Sequence, residues 1–334
     1  MRSDEAALKA TFSTCRKVSR LTSVLQLPLA KQILDRSAEL RSDESALTAL
    51  LESGIFYHFV AGSWLVEGDH LATLTWSESR KFEGEVARVG KLERYFLGRD
   101  DQGIGHFLIH HLQAPDAATF FPLAIESLRS RVVLFSPLHV GVAMHGQGLA
   151  NWHATHRFCS KCGKETESIL GGSVRSCEDG HQHHPRTDPA IITLIKDRSD
   201  RILLGHQASW PQGRFSTIAG FVESGESFEA ALHREVFEEA GVSITEFEYL
   251  GSQPWPFPSS VMIAFEAITD QPEVARPDGE EITEIRWFDR DELLATTRSG
   301  EILLPPPISV ARAMIDRWYE AGGREPLESG QAWR

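Results

Sequence analysis

The chain has 334 residues, of which 41% are hydrophobic and 24% are charged, so it is long enough for two or three globular domains. Its formal net charge of −13 gives no long-range attraction for nucleic acid or phosphate, so any phosphate chemistry must depend on metal ions or on a few basic side chains. The sequence contains no run of 18 apolar residues, the length needed to span a membrane. The charged amino terminus lacks the apolar stretch of a secretory signal, so we expect a cytoplasmic protein.

Residues 1–150 predict a strand-rich N-terminal domain. Residues 53–76 contain short strand-like runs broken by turns, and residues 94–111 contain two apolar runs around a Gly/Asp-rich turn, which predicts a hairpin. Residues 138–156 are expected to form a helix despite three glycines, with Val142, Leu149 and Trp152 on one side. This part of the chain carries no chemical motif, so its role stays open.

Residues 155–188 carry a cysteine cluster with the spacing of half a zinc ribbon: Cys159, Cys162 and Cys177. The second Cys-x2-Cys pair that would complete a regular ribbon is missing. His181 is preferred as the fourth ligand because it lies four residues after the last cysteine, and the other candidates are His183 and Asp179. A closed set of four protein ligands is structural rather than catalytic. Clustered cysteines in so long a chain indicate bound metal in a reducing compartment.

Residues 189–322 predict an α/β sandwich, because strand-like and helical patterns alternate. Apolar runs at 190–195 and 201–207 flank a charged turn and predict a hairpin. The other elements are expected in this order: a strand in 215–223, a helix, strands in 242–255, 260–268 and 282–289, and a closing helix in 309–321 after three prolines.

The helix expected after residue 223 carries an unusual group of carboxylates. Phe228, Leu232 and Val236 recur every four residues and predict one apolar face. Three glutamates share another face at positions i, i+3 and i+4: Glu235, Glu238 and Glu239. Like charges at this spacing repel, and no lysine lies four residues away to relieve them. Taken alone, these glutamates also fit a solvated acidic face, but clustered oxygen ligands suit a hard divalent ion such as Mg²⁺ or Mn²⁺.

The frame around these glutamates decides between the two interpretations. It matches the Nudix box, Gly-x5-Glu-x7-Arg-Glu-U-x-Glu-Glu-x-Gly-U with U aliphatic, at every fixed position: Gly220, Glu226, Arg234, Glu235, Val236, Glu238, Glu239, Gly241 and Val242. The chain therefore resembles the Nudix hydrolases, which cleave a nucleoside diphosphate linked to another group. The resemblance implies an α+β fold, a Nudix α/β/α sandwich with a mixed sheet, here preceded by a zinc ribbon and the strand-rich domain.

The resemblance also assigns roles around the metal. It implies that Mg²⁺ or Mn²⁺ is held by the three helix glutamates and by the carbonyl of Ala219, while Arg234 and Glu226 brace the motif. It implies one further ligand shortly before a late-strand tryptophan. Glu281, six residues before Trp287, is preferred there over Glu280 and Glu284. Glu239, or a glutamate close to it, is expected to orient or deprotonate the attacking water.

A proline-rich segment, Ser252–Ser260 with the sequence SQPWPFPSS, bears on the substrate. Its prolines fix the backbone, so it cannot be an interior strand or helix. Trp255 and Phe257 either plug into a core or form a preformed surface for a flat ligand. The segment resembles the array that follows the box in NADH pyrophosphatases, at every fixed position. That branch also carries a zinc ribbon before the Nudix domain, and residues 303–315 are similar to its carboxyl-terminal part.

This second resemblance implies a set of substrate contacts. Phe221, after the box glycine, would stack on one base, and His184 of a second subunit in a homodimer would close the other side, where the family usually has an aromatic ring. Ala311 would line the same pocket. The array itself would contribute the remaining contacts, with Gln253 and the serines as hydrogen-bonding groups: Gln253, Pro254, Trp255, Pro256, Phe257, Pro258, Ser259 and Ser260.

The function implied is hydrolysis of the pyrophosphate bond of NADH or NAD⁺, giving NMNH or NMN and AMP. One alternative is removal of NAD caps from RNA 5′ ends by the same site, against which the net charge of −13 argues weakly. A second is a broader dinucleotide or ADP-ribose pyrophosphatase. A third, from another class, is a non-catalytic nucleotide-binding regulator, which the complete set of box glutamates disfavours. The domain limits expected are 1–150, 155–188 and 189–322.

Overall fold

A computed structural model describes residues 25–86, 91–112 and 122–327. Its first sheet is built from strands β1–β6: Ile55–Val60, Ser63–Glu67, His70–Leu71, Leu92–Arg99, Gly105–His111 and Ala124–Glu126. The strand order is β3-β2-β1-β5-β4, with β6 paired to β2. β4 and β5 form the antiparallel hairpin predicted for residues 94–111, and β1 lies parallel to β5.

Four helices accompany this sheet: α1 Glu44–Leu51, α2 Trp76–Val86, α3 Leu128–Arg131 and α4 Pro137–Thr155. The long helix α4 begins where Ser136 caps the amide of His139 and Pro137 takes the first turn. The predicted helix is confirmed, and the three side chains expected on one side of it are all buried. Gly146 is required on α4 because a Cβ there would come 2.7 Å from the ring of Trp64.

The middle of the chain forms a three-stranded antiparallel sheet of β7 Thr166–Ile169, β8 Val174–Cys177 and β9 Gln182–His183. Buried Arg175 ties it to the first sheet, since its guanidinium lies 3.0 Å from Oε2 of Glu93 and donates to Nδ1 of His153 at 2.6 Å. It also donates to the hydroxyl and the carbonyl of Thr166. An otherwise costly buried cation is thereby paired and fully hydrogen-bonded.

The last sheet is mixed and contains β10 Asp188–Asp197, β11 Ile202–Gln207, β12 Ile218–Phe221, β13 Glu246–Trp255, β14 Ser260–Thr269 and β15 Ile282–Phe288. The order is β13-β14-β10-β11-β15, with β12 paired to β10, and only β10 and β14 run parallel. Three helices accompany this sheet. Helix α5, Phe228–Ala240, lies between β12 and β13, and α6 Arg290–Ser299 and α7 Val310–Glu320 come after β15.

Alternation along β10 places these helices on both faces of the sheet. Ile191 packs with Leu232 of α5, and Ile192 packs with Ile315 of α7. The predicted α/β/α sandwich with a mixed sheet is therefore confirmed. None of the helices in the described ranges is long and apolar enough to cross a bilayer.

The apolar face predicted for α5 is wrong at one position. Leu232 and Val236 are fully buried, but the side chain of Phe228 is 43% exposed. The helix is capped by Ser227, so Phe228 is its first residue and precedes the first buried position, Ala231. A periodicity argument assumes a continuous helix and does not account for the position of its first turn.

The N-terminal unit buries an unusual number of histidines. His110 contacts the hydroxyl of Tyr95 at 3.1 Å, and His153 lies against Arg175. Burial lowers the pKa of His110 and of His153 to about 3, and the pKa of His111 and of His139 to about 4. These rings are therefore neutral in the folded protein at every pH above about 4.

We expect the free energy of unfolding to fall as the pH decreases from about 6.5 toward 4. The folded pKa values lie below those of the unfolded histidines, so unfolding takes up protons throughout this window, at about 1.4 kcal/mol per pH unit and per proton. Urea unfolding followed by tryptophan fluorescence from pH 7.5 to 4.5 measures this slope. Replacing His110 by Gln removes one such proton and should lower the slope by about 1.4 kcal/mol per pH unit, and an unchanged slope would contradict the assignment.

Candidate active site and metal centres

The carboxylate site is built where α5 packs against β12. Glu235 is buried directly over Gly220, where any Cβ would collide with its carboxylate, which explains the glycine at that position. Glu238 is exposed to solvent on the surface of the helix, whereas the side chain of Glu239 is buried. The three glutamates therefore surround one edge of the sheet at different depths.

Arg234 holds this arrangement together. Its guanidinium donates to Glu235 at 2.7 Å and to Glu238 at 3.1 Å, and a bidentate pair at 2.9 and 2.7 Å joins it to Glu226. It also donates to the carbonyl of Phe221 at 3.0 Å. Hydrogen bonding from Arg234 lowers the pKa of Glu226 to about 2. One cation thus orders the loop before the helix and two of its glutamates, as the resemblance implied for Arg234 and Glu226.

Glu239 has the electrostatics of a site that is incomplete without a cation. Its side chain is in the interior, and its Oε2 has no hydrogen-bond partner within the described ranges. Burial, and then the charges of Glu281, Glu235 and Asp278, raise its pKa to about 8. This surplus of oxygen ligands fits a hard divalent cation. Glu281 is the late glutamate whose charge reaches Glu239, and its Oε1 accepts from Gln207 at 2.9 Å.

Asp278 is a member of this cluster that the sequence did not single out. Its carboxylate accepts from the amides of Glu280 and Ile282 and so fixes the turn before β15. An Asp-Gly turn in the sequence signals only the turn, not its distance from α5. Ala219, the expected carbonyl ligand, lies in β12 beside the cluster, where its backbone is hydrogen-bonded to Glu239.

The cysteine cluster is the more compact metal centre. Its ligand atoms all lie within 4.8 Å of one another, which no other such set in the described residues achieves: Cys159, Cys162, Cys177 and His181. The Nδ1 of His181 is 3.6 Å from two of the sulfurs, of Cys159 and Cys177. Three thiolates and one imidazole suit tetrahedral Zn²⁺.

The other candidates for the fourth zinc ligand are placed differently. Asp179 is paired with Lys164 at 2.8 Å, which disfavours it. His183 remains close, with its Nε2 3.2 Å from the sulfur of Cys159. The geometry therefore favours His181 and leaves His183 as its competitor.

The proline-rich segment continues from an edge strand, where proline is tolerated. Gln253 is fully buried in it: its Oε1 accepts from the amide of Leu29 at 2.9 Å and its Nε2 donates to the carbonyl of Ile308 at 3.0 Å. The expectation that Gln253 hydrogen-bonds the substrate does not fit this placement. Ser259 is also occupied, since its hydroxyl donates to Asp188 at 2.6 Å.

Helix α4 of the N-terminal unit clamps the rest of the segment. Gln147 donates to the carbonyl of Pro256 at 2.9 Å, and Asn151 donates to the carbonyls of Pro256 and Pro258 at 3.1 and 2.8 Å. The rings of Trp255 and Phe257 pack on the N-terminal core. Residues without a chemical motif of their own thus fix the conformation of the segment.

Trp255 also lines a cavity of about 420 Å³, which we call the Trp255 cavity. Ala311 lies in its wall, as the resemblance implied. Sequence reasoning missed three further lining residues, because they belong to no motif and meet only in the folded chain: Arg129, Trp210 and Arg214. The guanidinium of Arg129 lies over the rings of Trp255 and Phe257, at 5.6 and 4.5 Å from their centroids.

Two of the expected stacking residues are on the surface. Phe221 ends β12 next to the carboxylate cluster, and its side chain is 62% exposed. His184 is also exposed, in the link between β9 and β10. Both rings are therefore accessible to a flat ligand or to a second subunit.

We expect His181→Ala to abolish stoichiometric zinc binding, because it removes the nitrogen that lies 3.6 Å from each of two cysteine sulfurs. Zinc per chain after dialysis against a chelator measures this. Asp179→Ala serves as the matched control and should keep its zinc. Loss of zinc in His183→Ala, with retention in His181→Ala, would reverse the assignment.

We expect Asn151→Ala to loosen the proline-rich segment, because the carbonyl of Pro258 loses its donor and that of Pro256 keeps only Gln147. Hydrogen exchange at the amides of Trp255, Phe257 and Ser259 should become faster by about tenfold, which corresponds to about 1.4 kcal/mol, or roughly 0.7 kcal/mol for each of the two hydrogen bonds lost. Gln102→Ala, an exposed amide in the β4–β5 turn, is the control. Equal exchange in both variants would show that α4 does not hold the segment.

Comparison with known proteins agrees with this geometry. Residues 186–304 match the NUDIX domain family, and residues 154–184 match the NADH pyrophosphatase zinc ribbon domain family. The chain is 38% identical over 243 residues to the NAD-capped RNA hydrolase NudC of Mycobacterium bovis (strain BCG / Pasteur 1173P2), which covers 70% of this chain and 78% of the relative. It is 30% identical over 313 residues to the mitochondrial NAD(P)H pyrophosphatase NUDT13 of Mus musculus, covering 84% and 89%.

A third relative, the NAD-capped RNA hydrolase NUDT12 of Macaca fascicularis, is 37% identical over 191 residues, covering 53% of this chain and 41% of the relative. The zinc ribbon and the Nudix domain occur in the order that the sequence predicted. Since the first two relatives are matched over more than two thirds of their length, this chain belongs to the Nudix hydrolases, in the branch that carries an NADH pyrophosphatase zinc ribbon.

Proposed function

We propose that this enzyme hydrolyses the pyrophosphate bond of NADH or NAD⁺ and releases NMNH or NMN together with AMP. The observation that carries the proposal is the carboxylate cluster on α5. This helix packs against the same sheet whose strand β13 leads into the clamped proline-rich segment. The cluster supplies hydrolysis, and the segment supplies a rigid aromatic surface. The names of the relatives, NAD(P)H pyrophosphatase and NAD-capped RNA hydrolase, support the same substrate class.

The substrate would be bound by preformed surfaces. The Trp255 cavity has the size of a typical small-molecule site and is lined mainly by apolar side chains, as a base and its ribose require. Arg129 and Arg214 bring positive charge to it, although the chain as a whole is acidic. The exposed ring of Phe221 offers a second stacking surface next to the carboxylates.

The catalytic cation would be Mg²⁺ or Mn²⁺, held by the carbonyl of Ala219 and by four carboxylates: Glu235, Glu238, Glu239 and Glu281. When bound, such a cation neutralises charge that develops on the pyrophosphate oxygens and makes a water molecule more acidic. Oxygen ligands of this kind suit both ions.

The side chains of the enzyme then have distinct tasks. Glu239, whose buried Oε2 has no hydrogen-bond partner among the described residues, accepts the proton of the attacking water. The water oxygen attacks one phosphorus, the bridging P–O bond breaks, and the second phosphate leaves. Arg234 acts as a positioning residue, because its donors are already engaged with glutamates and with the carbonyl of Phe221.

We also propose a cytoplasmic homodimer. The cysteine ligands require a reducing compartment. The accessible rings of His184 and Phe221 are compatible with a base site closed by His184 of a second subunit, as the family resemblance implies. The same site acting on NAD-capped RNA is the second candidate function, and two of the relatives bear that name.

We expect Glu239→Gln to remove most NADH hydrolysis, lowering turnover by roughly 10²- to 10⁴-fold, as loss of a general base does. The change removes a buried carboxylate with a raised pKa, so thermal stability should be maintained. Chromatography of NMNH and AMP in the presence of Mg²⁺ or Mn²⁺ measures the reaction. The control is Glu229→Gln, in the first turn of the same helix and at a variable position of the box.

Unchanged turnover in Glu239→Gln would falsify its role as the base. If the wild type leaves NADH intact but cleaves ADP-ribose or NAD-capped RNA, the carboxylate chemistry stands and the substrate assignment is overturned. Absence of any cleavage with retained NADH binding would instead favour a non-catalytic nucleotide-binding regulator.

A further inference from the structure

A second cavity, of about 440 Å³, lies between α4 and the proline-rich segment, and we call it the Arg36 cavity. One wall is Lys31 and Arg36, from the stretch that precedes α1. Another is His145 and Gly148 of α4, and a third is Arg186 with Ser260. None of the described residues that line it is acidic, in a chain whose formal net charge is −13.

Several basic groups in this cavity have no acidic counterpart among the described residues. Lys31 and Arg36 form no ion pair with any carboxylate of the described ranges, whereas Arg186 is paired with Asp188. The Nδ1 of His145 is buried, and no described residue hydrogen-bonds to it. Burial, together with the nearby charge of Arg41, lowers the pKa of Arg36 to about 10, so it is still a cation at neutral pH. Uncompensated cations and an unpartnered imidazole are costly in a protein unless an anion joins them.

The cavity lies within reach of a substrate bound at the carboxylates. Ser260, in its wall, is three residues along β14 from Ile263, which pairs with Ile191, which in turn pairs with Gly220 of β12. Three residues of strand span about 10 Å and two strand spacings span about 10 Å, so Ser260 and Gly220 are about 14 Å apart within the plane of the sheet. A dinucleotide extended by one more phosphate group can span that distance.

We infer that the Arg36 cavity binds a phosphate ester carried on a ribose of the substrate, outside its pyrophosphate. Lys31 and Arg36 supply the charge, and Nδ1 of His145 supplies a further polar contact. The inference rests on the proposed function, because it extends that substrate beyond the bond that is cleaved. Two substrates carry such a group: the 2′-phosphate of NADPH and the first 3′-phosphodiester of NAD-capped RNA.

Direct binding tests the cavity without depending on turnover. In the full-length Glu239→Gln protein, fluorescence anisotropy would measure the affinity for a labelled NAD-capped ten-nucleotide RNA. Competition against that RNA would measure the affinities for NADH and NADPH. We expect Lys31→Ala and Arg36→Ala each to lower the affinity for the phosphate-bearing ligand by about tenfold, the loss typical of a charge-assisted hydrogen bond. NADH, which lacks that phosphate, should change by less than about twofold. Arg298→Ala, an exposed arginine on α6 outside both cavities, is the charge-matched control.

A second variant tests the cavity without removing charge. A Cβ at Gly148 would meet no atom within 4 Å, so the side chain of Gly148→Met can occupy the cavity. We expect the same selective loss of affinity with no fall in Tm, since methionine is a better helix former than glycine. For the RNA ligand, each lost cation should also lower the slope of log affinity against log salt by about 0.7.

The arms of the experiment identify the source of the phosphate. Selective loss of affinity for NADPH assigns the cavity to the 2′-phosphate. Selective loss of affinity for capped RNA assigns it to the 3′-phosphodiester. Equal effects on NADH, or no effect on any ligand, would overturn the inference. Absence of hydrolysis in the wild type, with these binding differences intact, would count against the proposed function alone.

Discussion

The contacts of Arg234 with three glutamates are the interaction on which the rest of the site depends. Glu235 and Glu239 are buried against a sheet edge, where their mutual repulsion and desolvation oppose folding. Arg234 lies beside them on the same helix and ties Glu226, Glu235 and Glu238 together with the carbonyl of Phe221. It leaves Glu239 unpaired, so the cluster is held in place but keeps room for a further cation. The box arginine thus explains the order of the loop. The surplus of negative charge arises because one arginine faces more carboxylates than it can neutralise.

The second constraint comes from outside the Nudix sheet. The proline-rich segment presents its carbonyls to Gln147 and Asn151 of α4, and its buried Gln253 bonds both the chain at Leu29 and the carbonyl of Ile308. Prolines lower the conformational freedom of the segment, and these bonds select one conformation among those that remain. Both rings pack on the N-terminal core, as the first interpretation expected, and Trp255 also lines a cavity.

Local chemistry explains how much the sequence could predict. The box and the cysteine spacing are short-range patterns, so the helix, its glutamates and the compact set around Cys177 follow from residue types at fixed offsets. Gln253 was misjudged because a motif does not reveal which way a polar side chain points. The preference for His181 over Asp179 rests in the structure on the pairing with Lys164, which becomes apparent only after folding. Arg129 and Asp278 reach the site through tertiary packing, and no sequence period records that.

The distribution of charge links these features. An acidic chain gains no general attraction for a phosphate-rich substrate, so each phosphate must be met by its own local cation. The carboxylate cluster can do this only through a bound metal, because its single arginine is already engaged. The two cavities instead carry arginine and lysine side chains in clefts, where lower solvent exposure strengthens any contact with an anion. Positive charge in this acidic chain is therefore concentrated in clefts, where a bound phosphate contacts specific side chains.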